Sequence, residues 1–157
     1  AFTEWLLCVS PDFVSEHGSI STLEHLANCP WLGIRSRMEI TLVGPTESHR
    51  LSFTSRMSCA DYAMLCDLCL EGMGVAMLPA YIAADALKKG KLIQILTDFS
   101  IEPTPGSILY AITLPTRYMP PQVREFVTFV KQQIRLKCHE GLMPVDDVKL
   151  VDKITQK

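Results

Sequence analysis

The segment from residue 56 to residue 96 constrains the fold most, because capping residues, glycines and a proline divide it into alternating helices and strands. Ser58 to Asp61 is a capping signature, and the apolar residues after it predict a largely buried helix that runs to Glu71. The glycine that follows stands at the C′ position, where a positive φ is needed. Val75 to Leu78 then predicts a short buried strand, which Pro79 stops.

The flanking sequence extends the same pattern. Ser21 to Glu24 reads as a capping box, with Ser21 as the cap of a short helix that ends at Asn28. Two β-prone runs on either side of a Gly-Pro turn predict a hairpin. We predict strands at residues 4–9, 38–43, 50–55, 92–96 and 108–114, helices at residues 80–89 and about 120–137, and a loop at residues 100–107. Strands that alternate with helices at this spacing favour an α/β domain.

Length and charge narrow the class of protein. The chain has 157 residues, of which 48% are hydrophobic and 20% charged, with a formal net charge of −2. This size fits one domain with a substantial core. No apolar run approaches the ~20 residues of a membrane-spanning helix, and the near-neutral charge argues against a nucleic-acid-binding surface. The start at Ala1, without Met or a signal peptide, predicts a piece of a longer protein.

The cysteines are interpreted as buried structural thiols, because most of them stand among apolar residues where a free thiol behaves as a small hydrophobe. They are Cys8, Cys29, Cys59, Cys66, Cys69 and Cys138. Cys66 and Cys69 form a CxxC motif, but it falls inside a predicted helix and lacks a second pair of zinc ligands, so we predict no metal site. Redox sensing stays open as a minor alternative. Free thiols favour a reducing cytoplasm.

We find no catalytic constellation in the sequence. It has no GxSxG elbow, P-loop or HExxH motif. Gly72-Met73-Gly74 resembles the start of a dinucleotide loop, but the third glycine is missing and the motif ends a helix instead of opening one. The histidines are scattered and are most simply surface residues: His17, His25, His49 and His139. We therefore predict no enzymatic activity and no cofactor.

The segment from Arg56 onward resembles the effector-binding domain of LysR-type transcriptional regulators. Residues 72–79 match the Gly-x-Gly-φ-Ala-φ-φ-Pro turn of that family, and Leu87, Gly90 and Leu92 match its Leu-x-x-Gly-x-Leu helix ending. Further similar segments follow the family's order, at residues 10–18, 23–32, 108–114 and 118–129. The resemblance covers about residues 5–136.

This resemblance implies an α/β fold like that of a type 2 periplasmic binding protein, with two lobes and a mixed sheet flanked by helices. Residues 4–114 are expected to form the second lobe, residues 115–139 the returning terminal helix of an incomplete first lobe, and residues 140–157 a C-terminal tail. The first half of lobe one and the N-terminal helix-turn-helix are expected to be missing. DNA would be contacted only through that missing domain.

In the family, a small effector binds between the lobes, and the resemblance implies the same here. The expected helix N-terminus at Ser58 suits an anionic effector. The candidate effector-binding residues are Gly33, Ile34, Arg35, Ser58, Cys59, Ala60 and Tyr110. The family often has Asn where this chain has Ala60, which puts the identity of the ligand in doubt. Alternatives are that Ser58 and Asp61 only cap a helix, that Arg35 is solvated, and that Tyr110 belongs to the core.

The terminal helix is expected to make a homo-oligomer. Its apolar stripe would pack on a second copy of the chain or on the edge of lobe two. The stripe consists of Val123, Val127, Val130 and Ile134, with Phe126 beside it. The chief alternative function is the solute-binding protein of a transporter, and an α/β enzyme is a weaker one.

Overall fold

The computed structural model describes residues 3–102 and 120–139. These residues fall into two compact units. Residues 4–102 belong to the first unit, and the helix α5 (Pro121–His139) belongs to the second. No helix in the described ranges has the length and apolarity that a membrane crossing requires.

A mixed seven-stranded sheet forms the centre of the first unit. Its strands are β1 (Trp5–Val9), β2 (Trp31–Gly33), β3 (Arg37–Val43), β4 (Ser48–Ser58), β5 (Val75–Pro79), β6 (Ile93–Gln94) and β7 (Ser100–Ile101). They lie in the order β6-β1-β5-β2-β4-β3-β7. Strand β2 pairs in parallel with β4 and β5, and the other pairings are antiparallel.

Helices cover both faces of this sheet. They are α1 (Pro11–His17), α2 (Leu23–Asn28), α3 (Tyr62–Leu70) and α4 (Ala80–Lys88). Because side chains alternate along a strand, Leu7 and Val9 of β1 pack in the core that contains Phe13 of α1 and Leu26 of α2. Cys8 packs in the opposite core, with residues of α3 and α4.

Most of the predicted elements are confirmed, with shifted ends. The hairpin forms from β3 and β4, and β1, β5, α3, α4 and α5 lie where strands and helices were expected. The strand predicted at residues 92–96 is shorter, at Ile93–Gln94, and Ser100–Ile101 pairs with β3 although a loop was predicted there. The strand predicted at residues 108–114 lies outside the described residues.

Two helix starts differ from the prediction. Helix α1 was missed: Ser10 ends β1 but also caps α1, because its hydroxyl accepts a 3.2 Å bond from the Phe13 amide. The capping box led by Ser21 is wrong, since Thr22 is the cap and its hydroxyl accepts from the His25 amide at 3.2 Å. The helix thus starts one residue later than the prediction requires.

Helix α3 is only partly buried, contrary to its prediction. Leu65, Cys66 and Cys69 are buried, whereas Met64 is 53% exposed. The end of the helix agrees with the prediction, because Gly72 follows it with a φ of 74°. The amides of Gly72 and Met73 donate to carbonyls in the last turn of the helix, and a glycine in this conformation ends the helix.

In α5, the apolar stripe is half-buried at each of its four positions. Phe126 is 66% exposed, and Phe129 and Leu136 are also exposed. On a helical projection these three side chains lie on a face adjacent to the stripe. The helix therefore carries two neighbouring apolar faces.

Candidate functional site

Three parallel strand ends meet at one edge of the sheet. Strands β5, β2 and β4 are parallel neighbours, so their carboxyl ends lie together. Strand β1 runs antiparallel to β5 and begins at this edge, where Trp5 pairs with Pro79. We call this side of the first unit the carboxyl edge. Ligands of open α/β sheets bind outside the carboxyl ends of strands.

Two of the candidate segments lie next to each other at the carboxyl edge. Gly33 ends β2 and pairs with Ser58, which ends β4. The Cys59 amide donates a 3.0 Å hydrogen bond to the Gly33 carbonyl. A Cβ atom at position 33 would meet the Ser55 hydroxyl and the Met38 sulfur, so a larger residue there would have to displace these two side chains. The structure thus brings residues 33–35 and 58–60 together, while Tyr110 lies outside the described residues.

The expected cap at Ser58 is wrong, and Asp61 takes its place. The Asp61 carboxylate accepts from the amides of Ala63 at 2.8 Å and Met64 at 3.4 Å. Ser58 does not cap α3, because β4 continues to that residue in register with Gly33 and the helix begins only at Tyr62, directly after Asp61. The amides that were expected to face an anion are therefore already bound to a carboxylate, and Arg35 is the cation that the predicted site retains.

A hydrogen bond fixes the backbone of Arg35, while its side chain is exposed. Its carbonyl accepts a 2.8 Å hydrogen bond from the Ser55 hydroxyl. An open depression of about 180 Å³ lies here. It is lined by Ile34, Arg35, Arg37, Met38 and Glu39. A fixed backbone and a solvated guanidinium suit the binding of an anion that arrives from solution.

Three aromatic residues at this edge were missed by the sequence interpretation. Tyr62 is the first residue of α3, and its ring centroid lies 5.2 Å from that of Trp5. Burial raises the pKa of Tyr62, the nearby Tyr81 raises it further, and Arg35 lowers it. Arg35, and Tyr81 in the first turn of α4, are therefore close enough for their charges to act on the Tyr62 hydroxyl. The available signal was an aromatic residue at the start of each helix that follows a parallel strand.

The buried thiols show no feature of a reactive site. Burial, with Cys66 nearby, raises the pKa of Cys8 to about 12, and burial also raises the pKa of Cys69. The Cys69 thiol lies 3.3 Å from the Cys8 carbonyl, to which it donates. The described free cysteines are Cys8, Cys29, Cys59, Cys66 and Cys69. Within residues 3–102 and 120–139, no group of three or more His, Cys, Asp or Glu side chains could hold a metal ion.

Cys59 differs from these buried thiols. It is half-buried at the carboxyl edge, and its sulfur lies 3.3 Å from the sulfur of Met64. Two polarisable sulfur atoms therefore stand between the end of β4 and the first turn of α3.

Comparison with known proteins identifies a family. The model of the LysR substrate binding domain matches residues 3–135. The HTH-type transcriptional regulator PtxR of Pseudomonas aeruginosa is 27% identical over 113 residues, which cover 69% of this chain and 35% of PtxR. The HTH-type transcriptional regulator DmlR of Escherichia coli is 27% identical over 131 residues, 81% of this chain and 41% of DmlR. The chain spans less than half the length of these relatives.

Solved structures have a similar fold. The regulatory domain of AphB from Vibrio vulnificus matches with a TM-score of 0.65 and 20% identity, over 83% of this chain and 64% of that one. The regulatory domain of CrgA, a LysR-type transcriptional regulator from Neisseria meningitidis, matches with a TM-score of 0.60 and 19% identity, over 85% and 65% of the two chains. The expected α/β fold, like that of a periplasmic binding protein, is confirmed. The chain belongs to the LysR substrate-binding domain family.

Proposed function

We propose that this chain is the effector-sensing domain of a LysR-type transcription regulator and that it binds a small anionic molecule. One observation carries the proposal: residues 33–35 and 58–60 meet at the carboxyl ends of neighbouring parallel strands. Arg35 supplies the positive charge, Tyr62 and Tyr81 add contacts, and Tyr110 belongs to the same proposed site. The names of the relatives support a regulator over the solute-binding protein of a transporter.

The domain acts by coupling the binding of an effector to the arrangement of the regulator, and not by catalysis. An effector shifts the equilibrium between two arrangements of a regulator only if it binds one of them more tightly. We assign DNA contact to a separate helix-turn-helix domain, and residues 4–114, 115–139 and 140–157 to lobe two, the returning helix and a tail. The free thiols support a reducing cytoplasm.

A matched pair of cation substitutions tests the site. Arg35→Gln removes a cation at the carboxyl edge, while Lys89→Gln removes an exposed lysine that contacts Asp85 at 2.7 Å, just after the end of α4. Calorimetric titration with benzoate and succinate measures binding to each variant. We expect Arg35→Gln to weaken carboxylate binding by about tenfold or more, since charge-assisted bonds are stronger than neutral ones. Equal binding by both variants would contradict the proposed site.

A further inference from the structure

We infer that the effector is a short dicarboxylate, whose two carboxylates bind Arg35 and Arg37 in the depression that these residues line. This inference rests on the proposed function and specifies its ligand. It follows from the charges that line the depression and from the open edge of β3 beside it.

Two cations line the same depression. Arg35 lies between β2 and β3, and Arg37 is the first residue of β3. Both side chains are exposed, and both line the depression of about 180 Å³. Neither guanidinium forms an ion pair with another residue of the described ranges 3–102 and 120–139. The depression therefore presents two positive charges that have no acidic partner among these residues.

The acidic side chain among the lining residues, Glu39, is bound to the neighbouring strand. One of its carboxylate oxygens accepts a 2.9 Å hydrogen bond from Arg50, and the other accepts a 3.2 Å hydrogen bond from the Ser52 hydroxyl. Arg50 thus neutralises Glu39, and Glu39 does not neutralise the two arginines that line the depression. A ligand with two negative charges matches the charges that remain.

The backbone of β3 adds hydrogen-bond donors at the same place. Within residues 3–102, β7 pairs with β3 only at the last two residues of β3, and the Thr41 carbonyl accepts from the Glu102 amide at 2.9 Å. Because the backbone groups of an antiparallel strand point alternately to its two sides, the amides of Arg37 and Glu39 point to the side of Thr41, beyond the end of β7. These amides lie about 7 Å apart along the strand, so each can donate to one carboxylate of a short dicarboxylate.

The helix N-terminus at the carboxyl edge argues against a phosphate as the ligand. Phosphate groups commonly bind the unpaired amides at the start of a helix, but the Asp61 carboxylate already accepts from the first amides of α3. A guanidinium binds a carboxylate through two parallel hydrogen bonds. Two guanidinium groups on separate residues therefore suit two separate carboxylates.

The remaining lining residues keep the spacer between the carboxylates short. Ile34 and Met38 are half-buried, and they pack against the two hydrophobic cores of the first unit. A depression of about 180 Å³ holds only a small molecule, since a water molecule takes up about 30 Å³ of the liquid. The ligand therefore has a spacer of a few carbon atoms, which contacts Ile34 and Met38.

Calorimetric titration of the chain with succinate, acetate and inorganic phosphate tests this inference. We expect succinate to bind at least about tenfold more tightly than acetate or phosphate, because its second carboxylate forms another charge-assisted bond. Arg37→Gln should weaken succinate binding by about tenfold and acetate binding by no more than about twofold, because Arg35 still binds one carboxylate. The retained acetate binding also shows that the variant is folded.

Two further variants separate the depression from a general effect of charge. Lys89→Gln removes an exposed cation just after the end of α4 and should leave succinate binding unchanged. Arg50→Gln removes the partner of Glu39 and should weaken succinate binding by about threefold, because the Glu39 carboxylate then repels the ligand. Unchanged succinate binding in Arg50→Gln would overturn the charge balance inferred for the depression.

The outcomes separate the inference from the function beneath it. If acetate or phosphate binds as tightly as succinate and Arg35→Gln weakens that binding, the anion site stands and the dicarboxylate inference is overturned. If Arg37→Gln and Lys89→Gln bind succinate equally, the role assigned to Arg37 is overturned. If none of the three anions binds, the proposed function of this edge fails together with the inference.

Discussion

At the scale of single residues, Asp61 shows how strand pairing selects a helix cap. Ser58 and Asp61 are both good N-cap residues, but Ser58 is still in register with Gly33 as the last residue of β4, and α3 begins only at Tyr62, directly after Asp61. We expect Asp61→Ala to lower the free energy of unfolding by about 1 kcal/mol, and Ser58→Ala to change it by less than about 0.5 kcal/mol. Urea denaturation measures both, and a loss of equal size in Ser58→Ala would restore Ser58 as the cap.

The buried Cys8 thiol predicts a loss of stability at alkaline pH. Its pKa is about 12 in the folded chain and 9.0 ordinarily, so between these values the folded state holds the proton more tightly than the unfolded state does. Stability from this group is complete below about pH 9 and falls as the pH rises towards 12.

We expect the free energy of unfolding, measured in urea at about pH 8 and about pH 10, to fall less in Cys8→Ala than in the unsubstituted chain. Cys29→Ala, which removes a half-buried thiol, is the matched control. Its free energy of unfolding should fall more over this pH range than that of Cys8→Ala. A decline in Cys8→Ala as steep as in the unsubstituted chain would contradict the burial of the thiol.

At the scale of elements, the turn between α3 and β5 depends on close backbone contact. A Cβ atom on Gly74 would collide with the Pro30 carbonyl oxygen, which accepts a 2.9 Å bond from the Val75 amide. Neither group can move without disturbing the β2–β5 pairing. The sequence motif Gly-x-Gly located this turn, but only the packing shows that Gly74 serves close approach to another strand.

Gly74→Ala should therefore cost more stability than Gly90→Ala. Gly90 ends α4 with a φ of 65° and has open space around its missing side chain, so an alanine there meets only the left-handed backbone penalty of about 1–2 kcal/mol. We expect Gly74→Ala to exceed that and reach about 3 kcal/mol or more, because it forces a backbone shift in a buried turn. Thermal unfolding of the two variants compares them, and equal losses would contradict the collision.

At the scale of the whole molecule, the exposed apolar side chains of α5 lead to a prediction about assembly. Its stripe is half-buried, while Phe126 and Phe129 are exposed. We propose that the chain forms a homo-oligomer through this helix, with Phe126 and Phe129 beside the stripe in the contact. Sedimentation velocity should show a dimer, and the double substitution Phe126→Asp and Phe129→Asp should weaken association by about tenfold or more.

The control for this test is Thr128→Asp, which adds charge at an exposed position whose neighbours three and four residues away on the helix are all polar. It should leave the dimer intact. A monomer in the unsubstituted chain, or equal weakening by the control, would show that the exposed face of α5 does not carry the association.

Much of the fold was predictable because its signals are local. Gly72 ends α3 through a positive φ, Pro120 precedes α5 and Pro121 begins it, and the Gly-Pro turn lies between β3 and β4. Helix α1 was missed because a Ser-Pro pair after a strand can end that strand and can also begin a helix. Strand β7 was missed because its two residues have no pattern of their own and are defined only by pairing with β3.

The sequence by itself therefore determined the α/β class, the family and the two segments of the candidate site, because periodicity, caps and motifs lie within short stretches of chain. Tertiary structure alone decided that Gly33 pairs with Ser58 and that the Asp61 carboxylate accepts hydrogen bonds from the first amides of α3. These residues come from different strands and helices. Their proximity depends on the order of strands in the sheet, which hydrogen bonding between distant segments sets.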